Sequence, residues 1–208
     1  MNPIDTRQLK TALGGVSTDD AAAAASRLAD RASREGLVDV AYAKVDTPLG
    51  TAMIAGTERG LVRLMLPNDS PDRVLERIAR DLSPRLLELP ARLDRERREL
   101  DEYFAGRRQA FDLELDWRLT PSGFYRKVLR ATARKLPFGT TASYGDVAGW
   151  AGNARAYRAA GTALGSNPIP IVVPCHRVVR TGGSLGGYTG GLEKKRELLT
   201  IEGSLKPD

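Results

Sequence analysis

Hydrophobic and polar residues alternate along this 208-residue chain in a way that predicts a small group of strands set among helices. Residues 41–45, 51–55 and 60–66 have the short apolar-rich runs of strands, and Pro-Leu-Gly at 48–50 is a turn. We expect these strands to form an antiparallel meander. Helical spacing, capping residues and glycines predict helices over residues 17–35, 71–82, 91–104, 122–136, 143–150, 154–164 and 192–201.

These elements predict an α/β fold of the α+β type in three parts. Residues 1–37 form an N-terminal extension with one helix, for which Ser17 offers a capping oxygen and Gly36 an end. Residues 38–116 form an N-terminal α/β domain around a small antiparallel sheet. Residues 117–208 form a mostly helical C-terminal domain, with the boundary near residues 116–120.

Two of the short helices, over residues 143–150 and 154–164, are joined at Gly152-Asn153. A pair of short helices around a tight glycine-containing turn is typical of a helix-turn-helix. Many helix pairs share this pattern, so by itself it only suggests a DNA-binding unit.

Charge is concentrated in the C-terminal domain. The chain has 32 Lys and Arg against 26 Asp and Glu, a net charge of +6, and residues 121–208 alone hold 13 against 5. A basic half beside a mildly acidic half is typical of a protein that binds a polyanion. A solvated basic surface gives the same charge, so the charge leaves both interpretations open.

Composition excludes several classes of protein. No apolar run reaches the roughly 18 residues that span a membrane, and residues 1–10 lack the apolar core of a secretory signal. We therefore expect a cytoplasmic protein without a membrane partner. One cysteine and one histidine exclude an internal disulfide and a Cys/His zinc site, and neither a metal nor a cofactor is expected.

The single cysteine, Cys175, is followed directly by the single histidine, His176. A lone cysteine is most often a small core residue. Here Arg177 and Arg180 raise the local positive potential, which favours a thiolate, and a glycine-rich loop, residues 182–191, follows. In an extended segment adjacent side chains point to opposite faces, so either the backbone bends at this point or a water links the two. Glu202 is a candidate to orient the histidine.

The sequence around this pair resembles a known active-site signature. Residues 167–179, Asn-Pro-Ile-Pro-Ile-Val-Val-Pro-Cys-His-Arg-Val-Val, resemble that of the O6-alkylguanine-DNA alkyltransferases, also called methylated-DNA–protein-cysteine methyltransferases. The resemblance covers residues 122–203, and it extends more weakly backward through residues 103–106 to residues 47–50. It implies a ribonuclease H-like N-terminal domain and a winged helix-turn-helix C-terminal domain.

The resemblance implies a catalytic role for five residues. Cys175 is the nucleophile and alkyl acceptor, His176 assists its deprotonation through a water, and Glu202 orients His176. Tyr144 rotates the nucleotide out of the duplex by crowding its 3′ phosphate and donates to the guanine ring. Asn167 braces the turn before the active-site segment, although it could also be only a turn residue.

The resemblance also implies which residues contact DNA and the flipped base. Arg158 enters the base stack and fills the gap left by guanine. The other DNA-binding candidates are Tyr144, Arg155, Tyr157, Ala159 and Gly161. The candidate residues of the guanine pocket are Val178, Tyr188, Thr189, Gly190 and Lys195. Tyr188 could instead be only a core residue, and Lys195 only a surface residue.

The function that these residues imply is DNA repair by single-turnover alkyl transfer, in which each molecule reacts once. The expected partner is double-stranded DNA containing O6-alkylguanine, bound by a monomer; activity on O4-alkylthymine and cooperative binding along DNA are left open. Tyr157 departs from the family, which usually has a small residue there. The alternatives are an alkyltransferase-like lesion-binding protein, whose relatives replace the cysteine, a helix-turn-helix regulator and a Cys/His hydrolase.

Overall fold

The computed structural model describes residues 18–205 of the chain, which divides into two units, Met1–Val38 and Asp39–Asp208. In the first unit, helix α1 spans Thr18–Arg34. Gly36, at a φ of 68°, lies beyond its end, and the N–H of Leu37 turns back to the carbonyl of Ala32 at 2.9 Å. The helix and its terminal glycine confirm the sequence prediction, whereas Ser17 and residues 1–10 lie outside the described residues.

The second unit begins with a four-stranded sheet in the order β3-β2-β1-β4. Strands β1 (Val40–Thr47), β2 (Gly50–Thr57) and β3 (Gly60–Met65) pair antiparallel, which confirms the predicted meander. Strand β4 (Leu86–Glu88) pairs parallel to β1 and was not predicted, so the sheet is mixed rather than purely antiparallel. Three residues are too few to show a strand period in the sequence.

Two helices accompany this sheet. Helix α2 spans Pro71–Asp81, and helix α3 spans Asp94–Phe104 after a 3₁₀ turn at Pro90–Leu93. One face of the sheet buries its apolar side chains against α2, because the period of a strand places every second residue on the same side. The residues of this core are Val40, Met53, Ala55, Val62, Met65, Val74 and Ile78.

The remainder of the unit is mostly helical. It contains four helices, α4 (Phe124–Lys135), α5 (Tyr144–Trp150), α6 (Tyr157–Gly165) and α7 (Leu192–Ile201). Apart from the start of α6, each helix begins and ends within two residues of its predicted bounds. A 3₁₀ turn at Ala154–Ala156 takes the place of the first residues predicted for α6. Strands β5 (Ala142–Ser143) and β6 (Val178–Val179) form a small parallel pair that was not predicted.

Local sequence explains how the helix-turn-helix pair α5 and α6 begins. Ser143 caps α5 by accepting from the N–H of Asp146 at 3.1 Å, and the Asp146 carboxylate accepts from the N–H of Ser143 at 2.8 Å. This reciprocal capping box satisfies two backbone donors at the start of the helix. Asn153 in turn accepts from the N–H of Arg155 at 3.2 Å and starts the 3₁₀ turn that leads into α6.

The sheet and the helical part meet along the segment that follows α6. The N–H of Leu64 in β3 donates to the carbonyl of Pro168 at 2.9 Å, and residues 168–179 are buried. Residues 39–205 belong to one unit, and the proposed boundary near residues 116–120 coincides with a 3₁₀ turn at Trp117–Leu119. The division into domains of residues 38–116 and 117–208 stays a prediction. Within residues 18–205, none of the helices has both the length and the apolar character needed to cross a bilayer.

Gly60, the first residue of β3, is held against another part of the chain. Its φ is 114°, and a Cβ built at this position would overlap the carbonyl group of Glu114. The close approach is set by two backbone hydrogen bonds of 2.9 Å, from Leu61 N–H to Glu114 and from Asp116 N–H to Leu61. Gly60 is therefore required for two reasons, its positive φ and the absence of a side chain.

We expect Gly60→Ala to destabilise the protein more than Gly106→Ala, which serves as the control. Gly106 also has a positive φ, 69°, but a Cβ there would meet nothing within 4 Å. The control should lose about 1 kcal/mol of unfolding free energy, the cost of the backbone conformation alone. Gly60→Ala should lose about 3 kcal/mol or more, because the backbone must also move apart. Urea unfolding followed by circular dichroism measures both, and equal losses would contradict the close-approach explanation.

Candidate active site

Cys175 lies in a 3₁₀ turn, Cys175–Arg177, that follows Pro174. The residue is only 8% exposed. The side chain of Asn167 holds this turn against the chain before it, since its Nδ2 donates to the carbonyl of Val173 at 2.8 Å and its Oδ1 accepts from Ile169 N–H at 3.0 Å. The same Nδ2 lies 3.1 Å from Sγ of Cys175, so Asn167 contacts the thiol as well as forming the turn.

Of the two alternatives for Cys175 and His176, a bent backbone or a linking water, the structure shows the bent backbone. The backbone bends into the 3₁₀ turn, and the imidazole of His176 is fully buried and directed to Glu202, with Nε2 2.9 Å from Oε1. Nδ1 of His176 is buried without a hydrogen-bond partner among the described residues. His176 and Cys175 therefore do not hydrogen-bond directly, even though the backbone is bent.

Glu202, the residue after α7, is the centre of a buried hydrogen-bond network. Its Oε1 accepts from Nε2 of His176, from the hydroxyl of Tyr103 at 2.7 Å and from a terminal nitrogen of Arg177 at 2.8 Å. Its Oε2 accepts from Nε of Arg177 at 2.8 Å. Arg177 also donates to the carbonyl of Leu136 at 2.7 Å. The carboxylate is thus balanced by one guanidinium and oriented by two further donors.

The cation that acts on the thiol differs from the two arginines expected to do so. Arg177 is buried and makes a bidentate pair with Glu202, while Arg180 is exposed. Lys195 is instead fully buried, so it is not a surface residue. Its Nζ donates to the carbonyl of Val178 at 2.6 Å and to that of Leu185. Burial lowers the pKa of Lys195 to about 8, and its positive charge favours the thiolate of Cys175.

The protonation states of the site follow from burial and from its hydrogen bonds. Burial raises the pKa of the Cys175 thiol, against the opposing effects of Asn167 and Lys195. Burial lowers the pKa of His176, although Glu202 opposes that shift. Burial raises the pKa of Glu202, but the hydrogen bonds from His176 and Arg177 outweigh it and bring the pKa down to about 2. The resting site therefore holds a thiol, a neutral imidazole and a carboxylate.

A cavity of about 290 Å³ opens beside Cys175. It lies between α5, α6 and the glycine-rich loop, and its lining residues are Tyr144, Gly161, Leu164, Gly165, Cys175, Gly187, Tyr188 and Thr189. Thr189 fixes the loop to the end of α6, because its hydroxyl donates to the carbonyl of Gly165 at 2.7 Å. The structure thus brings two of the predicted pocket residues, Tyr188 and Thr189, to the same cavity as the thiol.

The other predicted pocket residues lie behind or beside this cavity. Val178 is buried, and its carbonyl accepts from Lys195. Gly190 lines a second cavity of about 180 Å³ that reaches Cys175 from the side of β3. A Cβ at Gly190 would lie 2.6 Å from a methyl carbon of Leu66 and 2.7 Å from the ring of Tyr188, so this glycine allows the loop to approach β3.

Tyr144, the first residue of α5, has its ring between α6 and the glycine-rich loop. A Cβ at Gly161 would lie 3.6 Å from the ring, and one at Gly186 would lie 3.0 Å from the hydroxyl oxygen. Burial and the neighbouring Cys175 raise the pKa of Tyr144. The hydroxyl therefore keeps its proton at neutral pH and can act as a hydrogen-bond donor in the cavity.

A groove on the outside of this cavity carries the exposed residues of α6. It is lined by Tyr144, Gly145, Tyr157, Arg158, Gly161, Arg180, Thr181 and Gly187. The guanidinium carbon of Arg158 lies 5.6 Å from the centre of the Tyr157 ring, and Tyr157 is 48% exposed. Of the predicted DNA contacts, the exposed Arg155 and the partly buried Ala159 lie outside the lining of the groove.

Two residues of the site were not assigned their roles from the sequence. Arg180 was considered only as a charge near the thiol, and it lines the groove with Arg158. Tyr103 lies 99 positions before Glu202, and no sequence pattern connects two residues so far apart. In the described part of the chain, no three His, Cys, Asp or Glu side chains are grouped to hold a metal ion.

Comparisons with known proteins agree with this architecture. The family model for the ribonuclease-like domain of 6-O-methylguanine DNA methyltransferase matches residues 40–117, and the model for its DNA-binding domain matches residues 123–204. The methylated-DNA–protein-cysteine methyltransferase of Mycolicibacterium paratuberculosis is 40% identical over 163 residues, 78% of this chain and 92% of that protein. The constitutive Bacillus subtilis protein of that name is 38% identical, over 77% and 94% of the two chains.

Solved structures are similar over the same part of the chain. The crystal structure of the Mycobacterium tuberculosis O6-methylguanine methyltransferase has a TM-score of 0.67 and 37% identity, and the match covers 81% of this chain and 95% of that one. The Mycobacterium tuberculosis OGT in complex with DNA has a TM-score of 0.68 and 36% identity, covering 79% and 93%. With both domain models matched and these relatives aligned over most of their length, the chain belongs to the methylated-DNA–protein-cysteine methyltransferase family.

Proposed function

We propose that this protein repairs DNA by transferring the alkyl group of O6-alkylguanine to Sγ of Cys175. The observation that carries the proposal is that the buried thiol lines a cavity which opens next to a groove with exposed arginines. Family membership supplies the reaction, and the cavity supplies a place for one base outside the duplex. The proposed partner is duplex DNA, because the family model for the DNA-binding domain matches residues 123–204.

The target base must leave the duplex before the thiol can reach it. The alkyl carbon on O6 is enclosed in the base stack, and extrusion of the nucleotide costs a few kcal/mol. Arg158 is exposed in the first turn of α6 and can enter the stack where the guanine was. Tyr144 lies between that groove and the cavity, where it can crowd the backbone of the rotated nucleotide.

The proton of the thiol is proposed to leave through a water and His176. Because Nε2 of His176 donates to Glu202, the lone pair of the neutral imidazole is on Nδ1, the nitrogen without a protein partner. A water between Nδ1 and Sγ would carry the proton to the imidazole. The carboxylate of Glu202 then stabilises the imidazolium, and Lys195 and Asn167 stabilise the thiolate.

The transfer step is a displacement at a saturated carbon. The thiolate sulfur forms a bond to the alkyl carbon, the bond from that carbon to O6 breaks, and its electron pair stays on guanine. The hydroxyl of Tyr144 donates to the departing base, which lowers the cost of the developing negative charge. The product thioether has no easy route back to a thiol, so each molecule is proposed to react only once. A monomeric state and a cytoplasmic location stay predictions.

Incubation with duplex DNA that contains O6-methylguanine should add one methyl group to each protein molecule. Intact-mass measurement and peptide mapping should place it on Cys175, without turnover beyond one equivalent, and Cys175→Ser should bind the same DNA without gaining mass. An unmodified Cys175 in a DNA-bound wild-type protein would favour a lesion-binding protein or a regulator. Repeated turnover on an acyl substrate would favour a hydrolase.

Arg158→Ala should slow repair of duplex DNA by about tenfold or more, because the gap in the stack is no longer filled. Transfer from free O6-benzylguanine, which needs no extrusion, should change by less than about threefold. The control is Arg134→Ala, which removes the same charge from an exposed position of α4 outside the groove. Single-turnover rates on both substrates measure the effect, and equal losses on the two would contradict the intercalating role.

Glu202→Gln should reduce stability in a pH-dependent way. The pKa of Glu202 is about 2 in the folded protein against 4.5 for a free glutamate, so its contribution is complete above 4.5 and is lost as the pH falls through 2. The variant should lose about 3 kcal/mol of unfolding free energy at about pH 7, and distinctly less at about pH 3. Urea unfolding at both pH values tests this. The control is Glu193→Gln at an exposed position, which should leave the unfolding free energy unchanged at both pH values. The same loss at both would mean that the carboxylate is not specially stabilised.

A further inference from the structure

We propose that Tyr103 is a positioning residue of the alkyl-transfer site, whose hydroxyl controls how strongly Glu202 holds His176. The proposal rests on the proposed function, since it concerns the same relay. Tyr103 lies in the last turn of α3, within the part of the chain that matches the ribonuclease-like domain. The groups that it acts on lie in the part that matches the DNA-binding domain.

The geometry of Tyr103 places it at the same oxygen that orients the histidine. Its hydroxyl donates to Oε1 of Glu202 at 2.7 Å, and Nε2 of His176 lies 2.9 Å from this oxygen. Tyr103 is 0% exposed. Its ring packs edge-on to Phe104 at 5.2 Å and is tilted against Phe111 at 5.3 Å between centroids. These contacts fix the ring, so the hydroxyl has little freedom to leave the carboxylate.

Solvation of the carboxylate alone does not require this hydroxyl. Arg177 already donates to both oxygens of Glu202 and neutralises its charge. Tyr103 adds a further donor to Oε1 only, which is the oxygen that receives His176. The Tyr103 hydroxyl withdraws electron density from Oε1, the oxygen that also accepts from His176. The carboxylate of Glu202 therefore stabilises a protonated His176 less strongly. Tyr103 is therefore expected to hold His176 neutral and able to accept the proton of Cys175.

Apart from Glu202, the other charged and titratable groups that face His176 either lower its pKa, as Tyr103 is proposed to do, or carry no charge. Arg177 and Lys195 lower the pKa of His176 by repulsion, after burial. The thiol of Cys175 and the hydroxyl of Tyr188 are buried and uncharged in the resting site, since burial raises the pKa of both. Burial and Glu202 raise the pKa of Tyr103 itself, so its hydroxyl stays a donor at working pH. Among these groups, only Glu202 stabilises the imidazolium form of His176, and Tyr103 is proposed to weaken that stabilisation.

Tyr103→Phe removes the hydroxyl and keeps the ring, and the single histidine of the chain makes its effect measurable without ambiguity. The pKa of His176, followed by NMR titration, should rise by about half a unit or more. In the pH profile of the transfer rate from free O6-benzylguanine, the pKa of the acidic limb should rise by the same amount, because protonated His176 cannot accept a proton. The rate on the plateau should change by less than about threefold, and affinity for duplex DNA should not change.

Thr132→Val is the matched control. Thr132 is also 0% exposed, and its hydroxyl donates to the carbonyl of Val128 within α4 rather than to Glu202 or His176. This control should lower the melting temperature without moving the histidine titration or the pH profile. If Tyr103→Phe behaves like the control, Tyr103 has only a packing role and the proposal is wrong.

Fluorotyrosine at position 103 gives a second test with the opposite sign and an intact fold. A fluorinated phenol is a stronger donor, so the pKa of His176 should fall and the acidic limb should move to lower pH. A shift in the same direction as that of Tyr103→Phe, or no shift, would overturn the proposal. The histidine titration does not depend on the reaction, so a wild-type protein that fails to transfer alkyl groups would refute the proposed function and leave this test in force.

Discussion

The buried carboxylate of Glu202 is the constraint on which the rest of the site depends. An ionised group without water is costly unless it is paired and its remaining lone pairs are satisfied. Arg177 provides the opposite charge, and His176 and Tyr103 provide the other donors. These donors come from α3 and from the 3₁₀ turn after Pro174, so the carboxylate joins the sheet-containing part to the active-site segment.

The network also explains how a buried thiol can be reactive. Burial by itself raises the pKa of Cys175 and makes the thiol inert. The site counters this locally, with Lys195 as the nearby cation and Asn167 as a donor to sulfur, and burial keeps His176 neutral. The thiol is thus shielded from bulk solvent. Under the proposed mechanism it becomes reactive when a water links it to His176 and the target guanine lies in the cavity.

Several parts of the fold were predictable because they depend on local sequence. Five of the seven predicted helices keep their bounds to within about two residues, and the three-stranded meander is present. Helices α3 and α6 each begin three residues later than predicted, after a 3₁₀ turn. The strands that were not predicted have a physical cause in common. Strand β4 and the pair β5–β6 contain only two or three residues each, and they exist because a neighbouring strand offers its backbone hydrogen bonds. The sequence left the bend at Cys175 as one of two alternatives, because the bend depends on a contact from Asn167 that only the folded chain shows.

The sequence by itself determined the family signature, the single Cys-His pair and the helix pair that carries Arg158, because these are fixed by residue identity and short spacing. Only the tertiary structure decided which cation serves the thiol, which oxygen orients the histidine and which residues line the cavity. Arg177, adjacent in sequence, turns to Glu202, whereas Lys195, some 20 positions away, is buried near the thiol. Contacts between distant residues depend on how the elements pack, and no local pattern of apolar and polar residues records that packing.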